Sequence, residues 1–269
     1  MFETARKLLR FRSLLGTLVA RELKARYRGS LLGFVWSLVN PLLLLAVYAF
    51  VFGKVFSPPQ AEGQTYPYAL FLITGLFPWV WISTSLLEGT VSLVANGGLI
   101  RKAVFPAEIL PQVSVLSNLV HFLFAVPILL GAMVVGRVMG YPVLGPATLL
   151  LPVVILLELV LAAGLALGLA ALNVYFKDTR DLLANLLTLL FFLTPIIYEL
   201  SAVPSRLLGS VVRWLNPFTS YTLAFQDVLL HARVPAAETW LQMILFALVG
   251  WWLGCAVFRH LSDGLVEAV

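Results

Sequence analysis

Three ionisable side chains, Glu88, His121 and Glu158, lie within otherwise apolar stretches of the sequence. A carboxylate held in lipid is costly unless it is paired, protonated or facing water, so such residues usually have a working or interhelical role. A proton relay among the three is conceivable. Interhelical hydrogen bonding fits three isolated groups better. A second group is Arg21, Lys24, Arg26 and Arg28, crowded ahead of the first apolar run. Guanidinium groups form bidentate contacts to phosphate, so this cluster suits a phosphate headgroup. Simple anchoring to an anionic membrane surface explains it equally well. The remaining histidines, His231 and His260, are far from His121 in sequence, and the one cysteine, Cys255, excludes a disulfide framework within the chain. No metal-ligand spacing is present. No G-x-x-x-x-G-K-[ST], H-E-x-x-H or G-x-S-x-G pattern occurs either, and Gly53-Lys54 lacks the rest of a phosphate loop.

The elements that position these residues follow from composition. The chain has 269 residues, 61% hydrophobic and 12% charged, with a net charge of +5, and its mean hydropathy is +0.97. A soluble domain carries about a quarter charged residues, so this chain belongs in a bilayer. A membrane-crossing helix needs about 20 apolar residues. Six stretches qualify: 33–56, 68–95, 109–136, 146–174, 182–200 and 239–259. Unpaired backbone groups are not tolerated in lipid, so each span is expected to be helical. The fold class is all-α, a polytopic bundle forming one domain over residues 1–269.

Orientation follows from Lys and Arg, which favour the cytoplasmic side. With both termini inside, thirteen of the eighteen basic residues are cytoplasmic, eight of them before Leu31. Lys54, Arg137, Arg206, Arg213 and Arg233 are the five outside. The first 30 residues are charged throughout and do not read as a cleavable signal peptide. On a helical wheel Arg6, Lys7, Arg10, Arg21, Lys24 and Arg28 fall within an arc of about 100°. Leu8, Phe11, Leu15, Val19 and Leu23 gather opposite. Residues 1–30 therefore read as an amphipathic helix lying at the membrane interface. Residues 201–238 are apolar but interrupted by Arg213, Pro217 and Asp227. A seventh span there would reverse the side of Arg259, so the segment reads as two short helices re-entering the outer leaflet. A surface-lying outer helix is the alternative.

Aromatic residues cluster at Phe71, Phe77, Trp79 and Trp81, and again at Phe191, Phe192 and Tyr198. An interfacial belt is the ordinary explanation. Aromatic faces also stack on sugar rings, so a carbohydrate path lined by Phe77, Trp79, Trp81 and Tyr198 competes with it.

Three stretches together resemble the membrane subunit of ABC transporters that export polysaccharides, the type-2 permeases serving O-antigen, capsule and teichoic acid. They are RELKARYRGSLLGFVWSLVNPLLLLAVYAFVF (21–52), LITGLFPWVWISTSLLEGTVSLVANGGLIRKAVFPAEILP (72–111) and NVYFKDTRDLLANLLTLLFFLTPIIYELSAVP (173–204), the last followed by W-L-N-P at Trp214–Pro217. The resemblance implies a homodimeric channel in the bacterial inner membrane, with two separate ATP-binding subunits on the cytoplasmic side. ATP and Mg would be bound by those subunits, so this chain needs no cofactor of its own and is not an enzyme. Residues 96–106, with Gly98, Arg101, Lys102 and Pro106, match the turn that docks into the ATPase. Residues 1–30 match a gate helix, with Arg21, Lys24, Arg26 and Arg28 meeting the diphosphate of an undecaprenyl-linked glycan. Residues 201–238 match the paired outer helices, and Thr194–Tyr198 lies near the dimer interface. A type-2 exporter of small lipids or drugs, an ion-coupled carrier and a membrane-embedded lipid enzyme are the competing classes.

Overall fold

The computed structural model describes residues 2–26, 28–29, 35–51, 66–102 and 106–264. Every regular element among them is helical. Two helices open the chain, α1 (Phe2–Arg10) and α2 (Arg12–Arg26). The expected single helix is thus interrupted at Phe11. The interruption is slight, because the Phe11 and Leu15 amides still bond the carbonyls four residues back at 2.9 Å. Leu8, Phe11, Leu15, Val19 and Leu23 are half-buried, while Arg6, Arg10, Arg21 and Lys24 are exposed. This is the division that the wheel requires.

Next come α3 (Trp36–Phe50), α4 (Tyr68–Ala95) and the short α5 (Gly97–Lys102). Then follow α6 (Ile109–Val138), a 3-10 turn over Pro146–Leu150 leading into α7 (Leu151–Tyr175), and α8 (Thr179–Leu193). The chain ends with α9 (Arg206–Leu215), α10 (Pro217–Leu229) and α11 (Ala237–Leu261). Four elements among the described residues are long and apolar enough to cross a membrane: 68–95, 109–138, 146–175 and 237–261. Each coincides closely with an expected span. The expected first span, 33–56, is represented by α3; its residues 33–34 and 52–56, with Lys54, lie outside the described residues.

The expected fifth span, 182–200, needs correction. Its helix, α8, starts at Thr179 and ends at Leu193. Fifteen residues rise about 22 Å, short of the roughly 30 Å hydrocarbon core. Pro195 lacks an amide hydrogen and cannot extend the ladder. The non-helical turn that follows is buried, and side chains satisfy its carbonyls. Gln226 donates to the Pro195 oxygen at 2.8 Å and Tyr68 to the Ile197 oxygen at 2.6 Å. Asn216 donates to the Thr194 hydroxyl at 2.8 Å. Irregular backbone enclosed in this way is compatible with membrane depth.

Residues 201–238 do contain two short helices, α9 and α10. Ser205 caps α9, accepting from the Leu208 amide, and Asn216 caps α10, accepting from the Phe218 amide. Pro217 occupies the first position of α10, where no amide hydrogen is needed. Helix α9 is largely exposed, whereas Phe218–Thr222 and Ala224–Leu230 are buried against α4, α7 and α11.

Helices α7 and α11 pack most intimately, through Gly164 and Gly168 on one and Gly250 and Gly254 on the other. A Cβ on Gly254 would overlap the Gly164 carbonyl, and one on Gly164 would overlap the Trp251 backbone. Lipid gives apolar helices no reason to associate, so backbone approach at small residues carries their packing.

Candidate functional site

The N-terminal helices are fastened to the bundle by ion pairs. Arg26 Nη2 lies 2.5 Å from Glu88 Oε2 on α4, and Nη1 donates to the Asn118 side-chain oxygen on α6 at 3.2 Å. Asn118 also donates to Glu88 Oε2 at 2.6 Å. Glu88 thus joins three helices, which is the interhelical role its sequence position suggests. Asn118 is a partner that sequence reasoning missed. His121 stands one turn further along α6. Glu158 is only 2% exposed on α7, and its Oε2 has no hydrogen-bond partner among the described residues. The structure does not bring Glu158 into the Glu88 cluster.

At the other end of the same pair of helices, Lys7 Nζ lies 3.0 Å from Glu108 Oε1 and 3.7 Å from Glu3. Glu108 directly precedes α6. The hydrogen bond from Lys7 to Glu108 holds the lysine above its ordinary pKa, against the opposing effect of burial. The sequence places Lys7 on the basic face of the N-terminal helix but does not reveal its partner Glu108, because nothing local signals a pairing across 101 residues.

Between α2 and the bundle is a cavity of about 500 Å³, lined by Arg21, Glu22, Arg26, Glu88, Asn96 and Ser114 among others. Arg21, Lys24 and Arg28 also line a recess of about 870 Å³ along α2. All three are exposed, and none has an ion-pair partner among the described residues. The four expected headgroup residues therefore separate: Arg26 is committed to Glu88 and Asn118, while the other three are available. Three cations along one recess have the charge and the guanidinium geometry to hold an anionic headgroup.

The expected docking turn contains α5, with Gly98 exposed and Pro106 half-buried. Residues 103–105 of that turn, and the side chains of Arg101 and Lys102, lie outside what the structure describes.

The aromatic residues are placed more deeply than a lining would require. Phe77, Trp79 and Trp81 are 4%, 7% and 3% exposed. Trp81 stacks on Phe122 with ring centres 4.7 Å apart and planes 10° apart. Trp79 meets Phe218 edge-on at 5.5 Å and Phe191 at 5.9 Å. These rings fill the space between helices of one chain. Tyr198 is half-buried, and its hydroxyl donates to the Leu193 carbonyl at 3.0 Å.

A second polar cluster, absent from the sequence reading, occupies the far end of α4. Tyr66 lies 2.8 Å from Glu199, and its oxygen is 3.2 Å from His231 Nε2. Asp227 accepts from Arg233 Nε at 2.7 Å and faces His231 Nδ1 at 3.1 Å. Burial, followed by the hydrogen bond to Glu199, pushes the Tyr66 phenol well above its ordinary pKa.

The fold and these clusters can be set beside known proteins. Residues 13–230 match the family described as ABC-2 type transporter. The chain is 36% identical to the O-antigen export system permease protein RfbA of Myxococcus xanthus over the whole of both chains. It is 30% identical to the RfbA of Klebsiella pneumoniae over 81% of this chain and 80% of that one. The polysialic acid transport protein KpsM of Escherichia coli is 21% identical over 93% of this chain and 94% of its own. A match over most of the chain, on an all-helical bundle with four membrane-length helices, places this protein in the ABC-2 membrane family of transporter permeases.

Proposed function

We propose that this chain is half of the membrane channel of an ATP-driven exporter that carries a lipid-linked polysaccharide of the O-antigen type out of the cytoplasm. The observation that carries this reading is the trio Arg21, Lys24 and Arg28, exposed together along a recess of about 870 Å³ on α2, with Arg21 also lining the cavity of about 500 Å³ between α2 and the bundle. Full-length similarity to an O-antigen export permease supports the substrate class.

In this reading the bundle has six spans, with α3 and α8 as the first and fifth, and both termini are cytoplasmic. Two copies form the channel. Separate ATP-binding subunits dock against Gly98, Arg101, Lys102 and Pro106, and hydrolyse ATP with Mg. The undecaprenyl diphosphate carrier binds Arg21, Lys24 and Arg28, while Arg26 positions α2 through Glu88 and Asn118. Phe77, Trp79 and Trp81 brace the channel wall from within each protomer, and Tyr198 stands nearer its mouth. Helices α9 and α10 re-enter the outer leaflet and close the path until the ATPase drives it open.

The test is reconstitution of this chain with a candidate ATP-binding subunit that co-purifies with it. Addition of undecaprenyl-diphosphate-linked O-polysaccharide should stimulate ATP hydrolysis and move the glycan across the vesicle membrane. Equal stimulation by the glycan without its lipid diphosphate would remove the headgroup from the mechanism.

A further inference from the structure

Helices α7, α10 and α11 meet around one tyrosine. Tyr221 on α10 is fully buried. Its hydroxyl donates to the Met243 carbonyl of α11 at 2.7 Å and lies 3.5 Å from the Leu157 carbonyl of α7. The residues next to those two carbonyls are Gln242 and Glu158. A single hydroxyl within reach of both backbones brings the two neighbours to the same junction.

Both neighbours carry polar atoms with nothing to bond. Glu158 Oε2 and Gln242 Nε2 and Oε1 are buried and have no hydrogen-bond partner among the described residues. The large majority of buried side-chain polar atoms are bonded to protein or to ordered water. Three exceptions at one junction therefore require a shared partner. Bulk solvent is not that partner, because Glu158 is 2% and Gln242 1% exposed and both belong to membrane-length helices.

The chemistry of the partner follows from what each group offers. Gln242 has hydrogens to donate and an oxygen that accepts. Exchanging its amide oxygen and nitrogen changes nothing, since both lack a partner. Tyr221 has given its hydrogen to Met243, so its oxygen can only accept. Glu158 accepts when ionised and also donates when protonated. The partner must therefore donate and accept at once. A metal cation cannot accept from the Gln242 amide hydrogens, and an anion cannot donate to the Gln242 and Tyr221 oxygens. Water does both, and an internal water makes about three hydrogen bonds. The deduction holds for either charge state of Glu158.

We propose that Glu158, Tyr221 and Gln242 form an internal water site between α7, α10 and α11. Further along α7 and α11 the backbones touch at Gly164 and Gly254 and leave no space for solvent. The two membrane-length helices would thus be joined to each other by direct contact and to α10 through water. The site stands whether or not the chain exports a glycan.

Radiolytic footprinting of the full chain in nanodiscs tests the site. X-ray pulses turn water into hydroxyl radicals, which oxidise side chains beside bound water even where bulk solvent is excluded. Tyr221 is compared with Phe225, one turn along α10 and also fully buried. After correction for intrinsic reactivity, Tyr221 should be oxidised several-fold faster than Phe225. In the double variant Glu158→Leu with Gln242→Leu, its rate should fall to that of Phe225. Equal rates in the wild type overturn the proposal without recourse to any variant. That is also the outcome if Glu158 and Gln242 bond one another directly. Fast oxidation of Tyr221 that survives the double substitution overturns it as well, by assigning the water to other groups.

Discussion

Arg26 on α2 and Glu88 on α4 are 62 residues apart in sequence, and their charged atoms lie 2.5 Å apart. Asn118 bonds both partners, so the three side chains act as a unit rather than as a simple pair. Removing Arg26 would leave the Asn118 amide as the hydrogen-bond partner of Glu88 among the described residues.

The consequence is non-additivity. Arg26→Ala and Glu88→Gln should each lower thermal stability, and the double variant should lose less than the sum. The side chains retain 27% and 36% exposure, so the coupling belongs at the low end, about 1 kcal/mol. A double-mutant cycle on the detergent-purified chain measures it. Strict additivity would show that the pair contributes nothing to holding α2.

The packing of α7 on α11 predicts a different kind of loss. Gly254→Ala places a methyl group against the Gly164 carbonyl. Backbone cannot yield as a flexible side chain can, so the helices must separate, at a cost of about 1–3 kcal/mol. Gly131→Ala is the control, since nothing lies within 4 Å of a Cβ there. Its melting temperature should equal or exceed that of the wild type, because alanine favours the helix. Equal melting of the two variants would refute the close approach.

Much of this architecture is legible in the sequence because lipid enforces it. The apolar runs 68–95, 109–136, 146–174 and 239–259 must each pair their own backbone groups, and their limits fall within two residues of the helical elements 68–95, 109–138, 146–175 and 237–261. Span five misleads because Ile196 and Ile197 keep hydropathy high past Pro195, although the proline has already ended the helix. The partners of Glu88 were not legible, since a carboxylate in an apolar run announces a need without naming what meets it. Trp79 and Trp81 illustrate the same limit. An aromatic cluster suits a lining or a core equally well, and only the rings of Phe122, Phe191 and Phe218 decide between them. The Tyr66 cluster depends on side chains from four segments, each unremarkable alone.

Lys7 and Glu108 set the pH range over which α1 stays docked. The lysine pKa is raised on folding above its ordinary 10.5. The stabilisation is therefore complete below that value and fades as pH rises through the higher folded value. Spin labels on α1 and at the start of α6 should report one separation from about pH 6 to about pH 9. Lys7→Met should increase that separation throughout the range. Movement of the wild-type labels within the range would mean that another group governs docking.

Arg21, Lys24 and Arg28 allow the sharpest separation of binding from folding. They are exposed and have no ion-pair partner among the described residues, so replacing all three with Ala should change stability by no more than about 0.5 kcal/mol. Each basic residue at an anionic surface contributes about 1 kcal/mol, and three together about 3 kcal/mol. Affinity for vesicles carrying undecaprenyl diphosphate should fall roughly a hundredfold at low salt. The deficit should shrink as salt screens the exposed charges. Arg26→Ala should show the opposite profile, with stability lowered and headgroup affinity altered only through displacement of α2. Vesicle flotation across a salt series, paired with thermal melts, distinguishes the two. If the triple variant binds as well as the wild type, these residues anchor the helix and do not recognise the substrate.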